Sequence, residues 1–260
     1  MPISIFAWPG AVAIGVSLGL LGSGGSILTV PVLVYLMGQD EKVAIAGSLF
    51  IVGSVALAGS MQYLRASLID WRNVVIFGIP GMAGTYLGAL SAAYVSGIVQ
   101  LSLFAVVMLL ASYMMLRPLK LDETRHAPRE SWKIATDGLL VGIITGLVGV
   151  GGGFLIVPAL ALLGGLSMHR AVATSLVIIA LKSFSGFFKY LDVLDRQNLE
   201  LDWQTLMLVT GLGIAGSFAG AKIAHRVPQH KLKQGFGAFL IVMGLYILYR
   251  SLPEALGIAA

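Results

Sequence analysis

The chain has 260 residues, of which 57% are hydrophobic and 11% charged, with a mean hydropathy of +0.91 and a net charge of +5. That balance excludes an ordinary soluble domain, and it excludes a nucleic-acid partner because the basic residues fall in short loops between apolar stretches rather than on one face. With no cysteine there is no disulfide, no catalytic thiolate and no cysteine metal site.

The first apolar stretch, residues 3–22, has no basic region before it and reads as a retained helix rather than a cleaved leader. Further stretches follow at 24–38, 43–64, 74–95 and 98–116, and again at 134–150, 154–166, 171–191, 204–226 and 232–252. Between the two sets, residues 117–133 carry eight charges and two prolines and read as a linker. The expectation is an all-α polytopic membrane bundle with a first repeat at 1–116, a cytoplasmic linker at 117–133 and a second repeat at 134–260. Almost nothing is left over for an extramembrane domain, so function belongs inside the bundle.

The two halves match in sequence. Residues 19–31 (GLLGSGGSILTVP) align without gaps to 146–158 (GLVGVGGGFLIVP), and the same offset carries Ser48 onto Ser175, Gly59 onto Gly186 and Tyr63 onto Tyr190. After five extra residues, Asp70 and Trp71 match Asp202 and Trp203, and 81–89 (GMAGTYLGA) match 213–221 (GIAGSFAGA). Such order points to a duplicated unit. Five crossings per half make the repeats inverted; four crossings, with the short second segment dipping in and returning, make them parallel. With the linker inside, five crossings place 12 basic residues inside and only Lys42, Arg196 and Arg250 outside, a more uneven split than four crossings give. Inverted repeats with both termini outside are therefore expected. The second segment of each half rises only about 20 Å at 1.5 Å per residue, less than a hydrocarbon core of about 30 Å. Each is expected to be a broken helix, buried by neighbours or lining a wet cavity.

The breaks are the candidate site. Gly22, Gly24 and Gly25, with Gly149, Gly151, Gly152 and Gly153, each precede a short proline-containing helix. Adjacent glycines disfavour a continuous helix and allow close approach of an anion to free backbone N–H groups. The alternative is tight helix packing, which is the preferred reading for the regular stripes at Gly81, Gly84 and Gly88 and at Gly213, Gly216 and Gly220. Lys182 sits mid-segment, where a lysine costs roughly 2.5 to 3.5 kcal/mol and must face protein, water or substrate. Ser48, Thr174 and Ser175 could donate to an anion's oxygens or bond their own helix carbonyls. Tyr63 and Tyr190, at segment ends, read as interfacial anchors. The four histidines lack metal-site spacing, so neither a metal nor another cofactor is expected.

The paired GLLGSGG and GLVGVGGG motifs, each followed by Val-Pro, the Ala-Thr-Ser at 173–175 and the Asp-Trp before each fourth segment resemble the sulfite exporter TauE/SafE family of membrane transporters. The likeness covers nearly the whole chain. It implies transport of small sulfur-containing anions such as sulfite, sulfonates or sulfoacetate, in a bacterial inner membrane. Ser26 stands where that pattern has its last glycine, and Gly47 with Ser48 where it has Thr-Ser, so the two halves of the site are expected to differ. An anion channel is the alternative. A membrane-embedded enzyme is not expected, because no His-Glu metal motif or nucleophile elbow occurs. The sequence names no oligomeric state.

Overall fold

The computed structural model describes residues 7–21, 26–65, 67–116, 130–160, 166–224 and 229–255, and these form helices with no strand among them. In the first half the helices are α1 (Ala7–Leu21), α2 (Ser26–Leu36), α3 (Glu41–Arg65), α4 (Trp71–Ala92) and α5 (Gly97–Leu116). The second half repeats the order with α6 (Ser131–Val148), α7 (Gly153–Pro158), α8 (Met168–Arg196), α9 (Trp203–Ala224) and α10 (Gln229–Ala255). Among the described residues, Glu41–Leu64, Trp71–Ala92, Ser131–Val148 and Arg170–Arg196 are long and apolar enough to cross a membrane. Large apolar side chains such as Val75, Ile79, Leu110, Leu140, Met207 and Val242 are exposed along the bundle, a surface suited to lipid.

The Asp-Trp pairs are helix starts. The Asp70 carboxylate accepts from the Asn73 N–H at 3.0 Å, and that of Asp202 accepts from the Thr205 N–H at 3.1 Å. The Thr205 hydroxyl and N–H, by bonding the ionised form, hold the Asp202 carboxyl below its ordinary range. The short second helices are as limited as the sequence predicts. In α2, six α-helical residues, 26–31, run into a π-helical turn at 32–36, and α7 has six residues.

The repeats interleave. α4 packs on α6, and their equivalents α9 and α1 pack on each other. Along the first pair Phe77 meets Gly138, Gly81 meets Gly142 and Thr85 meets Gly146, so the two helices run parallel. A Cβ at Gly84, Gly88, Gly142 or Gly146 would collide with backbone of the partner helix, and Gly216 and Gly220 press likewise on α1. These stripes are packing seams, as their regular spacing predicts. At the centre, α3 and its equivalent α8 run antiparallel: Gly53 meets Ser183, and Gly59 meets Leu176. α5 and α10 do the same, with Leu116 on Gly237 and Leu109 on Gly244. Two equivalent helices that pack antiparallel are related by an axis across their length, not along it. The antiparallel pairing also brings the end of α5 and the start of α10 to one end of the bundle. Arg72 and Arg170 reach that end, where Arg72 donates to Ser131 at 3.2 Å and Arg170 pairs with Asp70 at 3.4 Å.

Candidate functional site

In the second repeat the break is fully described. α6 stops because Gly149 turns left-handed at φ +74° and its N–H returns to the Thr145 carbonyl, which the Val150 N–H also reaches at 3.1 Å. Gly152, at φ +73°, starts α7. Only glycine holds such angles without strain. Crowding adds to the requirement: a Cβ at Gly149 would overlap Ile45 on α3, and one at Gly151 would lie 2.6 Å from both Ser183 Oγ and Val52 Cγ1. One at Gly152 would lie 2.6 Å from Thr145 Cγ2. Gly153 is the first residue of α7 and is buried. The break is thus clasped by α3, α6 and α8. Its counterparts Gly22, Gly24 and Gly25 lie outside the described residues.

Ser48 reaches this break. Its hydroxyl donates to the Ile45 carbonyl at 2.9 Å and to the carbonyl of Gly149, tying α3 to the turn. Ser175 donates to Val172 within its own helix at 2.8 Å, and Thr174 accepts the Asp70 N–H at 3.0 Å. Of the three hydroxyls, only that of Ser48 is brought to the described break.

Lys182 is fully buried, and its contrast with two other buried lysines is informative. Lys42 Nζ donates to the carbonyls of Ala92 and Val95 at the end of α4. Lys189 pairs with Asp192 at 2.7 Å and lies 5.4 Å from the centre of the Tyr86 ring. Lys182 Nζ has no hydrogen-bond partner among the described residues. Its stem lies against α4, where a Cβ on Gly81 would be 3.0 Å from Cδ. A Cβ on Gly213 would likewise lie 3.0 Å from Val55, the repeat equivalent of Lys182, so the packing frame is shared and the amino group is not.

Two residues gain importance only from the fold. Tyr190 is not an interfacial anchor: it is fully buried, and its hydroxyl donates to the Leu147 carbonyl at 3.0 Å. Gln100 Nε2 bonds both that carbonyl and the Tyr190 hydroxyl, the latter at 2.8 Å. The pair fastens α5 and α8 to the last turn of α6, beside the break. A glutamine 90 residues away from its tyrosine leaves no local signal in the sequence.

Among the described residues the repeat equivalent of this closed region is looser. Leu18, Gly19, Val55, Gly59, Tyr63, Leu176 and Ser217 line a cleft, and Tyr63 is half-buried. Among the described residues a Cβ on Gly59 would meet nothing nearer than 3.7 Å, whereas one on its equivalent Gly186 would meet Thr85 Cγ2 at 2.8 Å. Among the described residues, matching interfaces are therefore tighter at the Tyr190 end than at the Tyr63 end.

Comparison with known proteins identifies the assembly. The family model for Sulfite exporter TauE/SafE matches residues 7–247. A probable membrane transporter protein of Xylella fastidiosa is 32% identical over 246 residues, covering 92% of each chain. Others of the same description, from Bacillus subtilis at 28% and Methanocaldococcus jannaschii at 26%, cover at least 90% of each chain. No solved structure matches. The chain belongs to the sulfite exporter TauE/SafE family and is a membrane protein.

Proposed function

We propose that this TauE/SafE family member is a multi-pass transporter of the bacterial inner membrane, without enzymatic activity, that exports small sulfur-containing anions such as sulfite, sulfonates or sulfoacetate by alternating access. The observation that carries the reading is Lys182, a buried amino group in the middle of a membrane-length helix with no hydrogen-bond partner among the described residues. A cation held there requires water or an anion, and an anion arriving at this depth is one in transit. The break at Gly149, Gly151, Gly152 and Gly153 lets backbone approach such an anion, with Gly22, Gly24 and Gly25 as its counterpart. In this reading Lys182 contacts substrate, Ser48 holds the break in place, and Thr174 and Ser175 order the first turns of α8.

Alternating access is supported by the asymmetry of the repeats: one interface closed over Tyr190, its equivalent loose around Tyr63. In an inverted pair those interfaces face opposite sides of the membrane, and exchanging their states moves the opening across. The antiparallel packing of α3 on α8 and of α5 on α10 supports five crossings per half, and the excess of basic residues at the linker end of the bundle supports a linker inside and both termini outside.

A thermal-shift screen of the purified chain against sulfite, sulfate, thiosulfate, sulfoacetate and taurine tests the function, since a ligand of the folded state raises its apparent stability. A rise in Tm with sulfite or a sulfonate is expected, and no rise with any of the five overturns the reading. For topology, Asp122→Cys and Gln229→Cys introduced singly are both expected to resist an impermeant thiol reagent added outside whole cells. Labelling of residue 229 but not 122 would sink the inverted arrangement.

A further inference from the structure

Next to Lys182 on α8, Ser183 has another buried polar atom, its Oγ, without a partner among the described residues. Three glycines from three segments close on these two residues. Gly81 on α4 meets Lys182, Gly53 on α3 would place a Cβ 3.2 Å from Ser183 Cβ, and Gly151 in the break faces Ser183 Oγ. The other repeat holds Val55 and Ala56 at the equivalent positions, and Gly213 closes on Val55 as Gly81 does on Lys182. The same frame is therefore filled by apolar groups in one half and by two unsatisfied donors in the other. Burying a hydroxyl without a partner is unfavourable, and alanine fills that place in the first repeat. The polar pair is satisfied by an occupant that supplies acceptor atoms, and an oxyanion supplies several.

We propose that Ser183 is a direct ligand of the transported anion, donating its hydroxyl to one oxygen, and that with Lys182 it forms a single oxyanion site per chain, borne by the second repeat alone. This rests on the transport reading above and adds to it a residue, a stoichiometry and a ligand group. The group is a small sulfite or sulfonate head, since the glycine contacts leave little width around Ser183. Inorganic sulfite and the head of an organic sulfonate share that chemistry, and separate titrations distinguish them.

The test is calorimetric titration of the purified full-length chain in detergent with sodium sulfite and, separately, with sodium methanesulfonate, alongside the Tm of the unliganded protein. The unmodified chain is expected to bind one anion. Ser183→Ala is expected to weaken that binding about tenfold, with an unliganded Tm unchanged or raised because an unpaired hydroxyl has been removed. Ser183→Cys, of similar size and a weaker donor, is expected to fall between. Stronger binding of sulfite assigns the site to the inorganic anion, and stronger binding of methanesulfonate to the organic head. Normal affinity in Ser183→Ala, or two anions bound per chain, overturns this inference while leaving transport standing. Failure of the unmodified chain to bind either anion brings down the transport reading and this inference together.

Discussion

Gly149→Ala is expected to destabilise the protein by about 2–5 kcal/mol. A left-handed conformation costs a residue with a Cβ roughly 1–2 kcal/mol, and overpacking adds about 1–3 kcal/mol. Both apply here, because φ is +74° and the new methyl would overlap the β-branched, fully buried side chain of Ile45. The two costs separate in a double-mutant cycle. Ile45→Ala in the same chain is expected to relieve the overlap and leave the backbone strain, so the pair should be less destabilised than the sum of the single variants. Thermal unfolding of the purified variants in detergent measures this. Strict additivity would mean that Gly149 and Ile45 do not touch. Gly152→Leu is expected to fail for the same physical reasons, φ +73° and contact with Thr145. A bulky residue there would therefore report on folding as well as on anion binding.

Lys182→Met is expected to abolish most anion binding, at least tenfold or about 1.4 kcal/mol, while the unliganded protein becomes no less stable. Methionine replaces the lysine stem with a flexible apolar chain of similar length and removes an amino group that has no partner. Function and stability should thus move in opposite directions, as they do where a site carries an uncompensated polar group. Lys182→Arg keeps the charge but must fit a larger head where the stem already packs too closely on Gly81 to admit a Cβ there freely, so part of the affinity should be lost. Paired measurements of sulfite binding and unliganded Tm check both variants. If Lys182→Met binds sulfite normally, the lysine is only a tolerated polar residue. If it unfolds, the amino group contributes to the fold in a way its lack of partners contradicts.

Much of the architecture was legible in the chain because the bilayer imposes simple rules on sequence. Apolar segments have to be long, breaks have to be marked by glycine and proline, and a duplicated unit repeats its landmarks in order. The glycine stripe at residues 81–88 could be read as a packing seam because its spacing follows one helix face, and α6 indeed meets it. The break after α6 could be read because adjacent glycines are unfavourable within a helix, and Gly149 and Gly152 do take left-handed angles. Lys182 stood out because its chemistry conflicts with its depth. Tyr190 was misread because position near a segment end does not reveal what a neighbouring helix will cover. The α5 glutamine and the last carbonyls of α6 bury it.

Sequence alone determined the elements, their duplication, the places where helices break and the presence of an ill-placed lysine, all of which follow from local composition and period. Tertiary structure alone decided which segments meet. It set α3 antiparallel to α8, brought Ser48 to the Gly149 carbonyl, and left Lys182 and Ser183 without partners while Lys42 and Lys189 found theirs. The reason is physical: propensity and periodicity act within a few turns of one helix, whereas hydrogen-bond satisfaction and steric fit are properties of pairs distant in the chain.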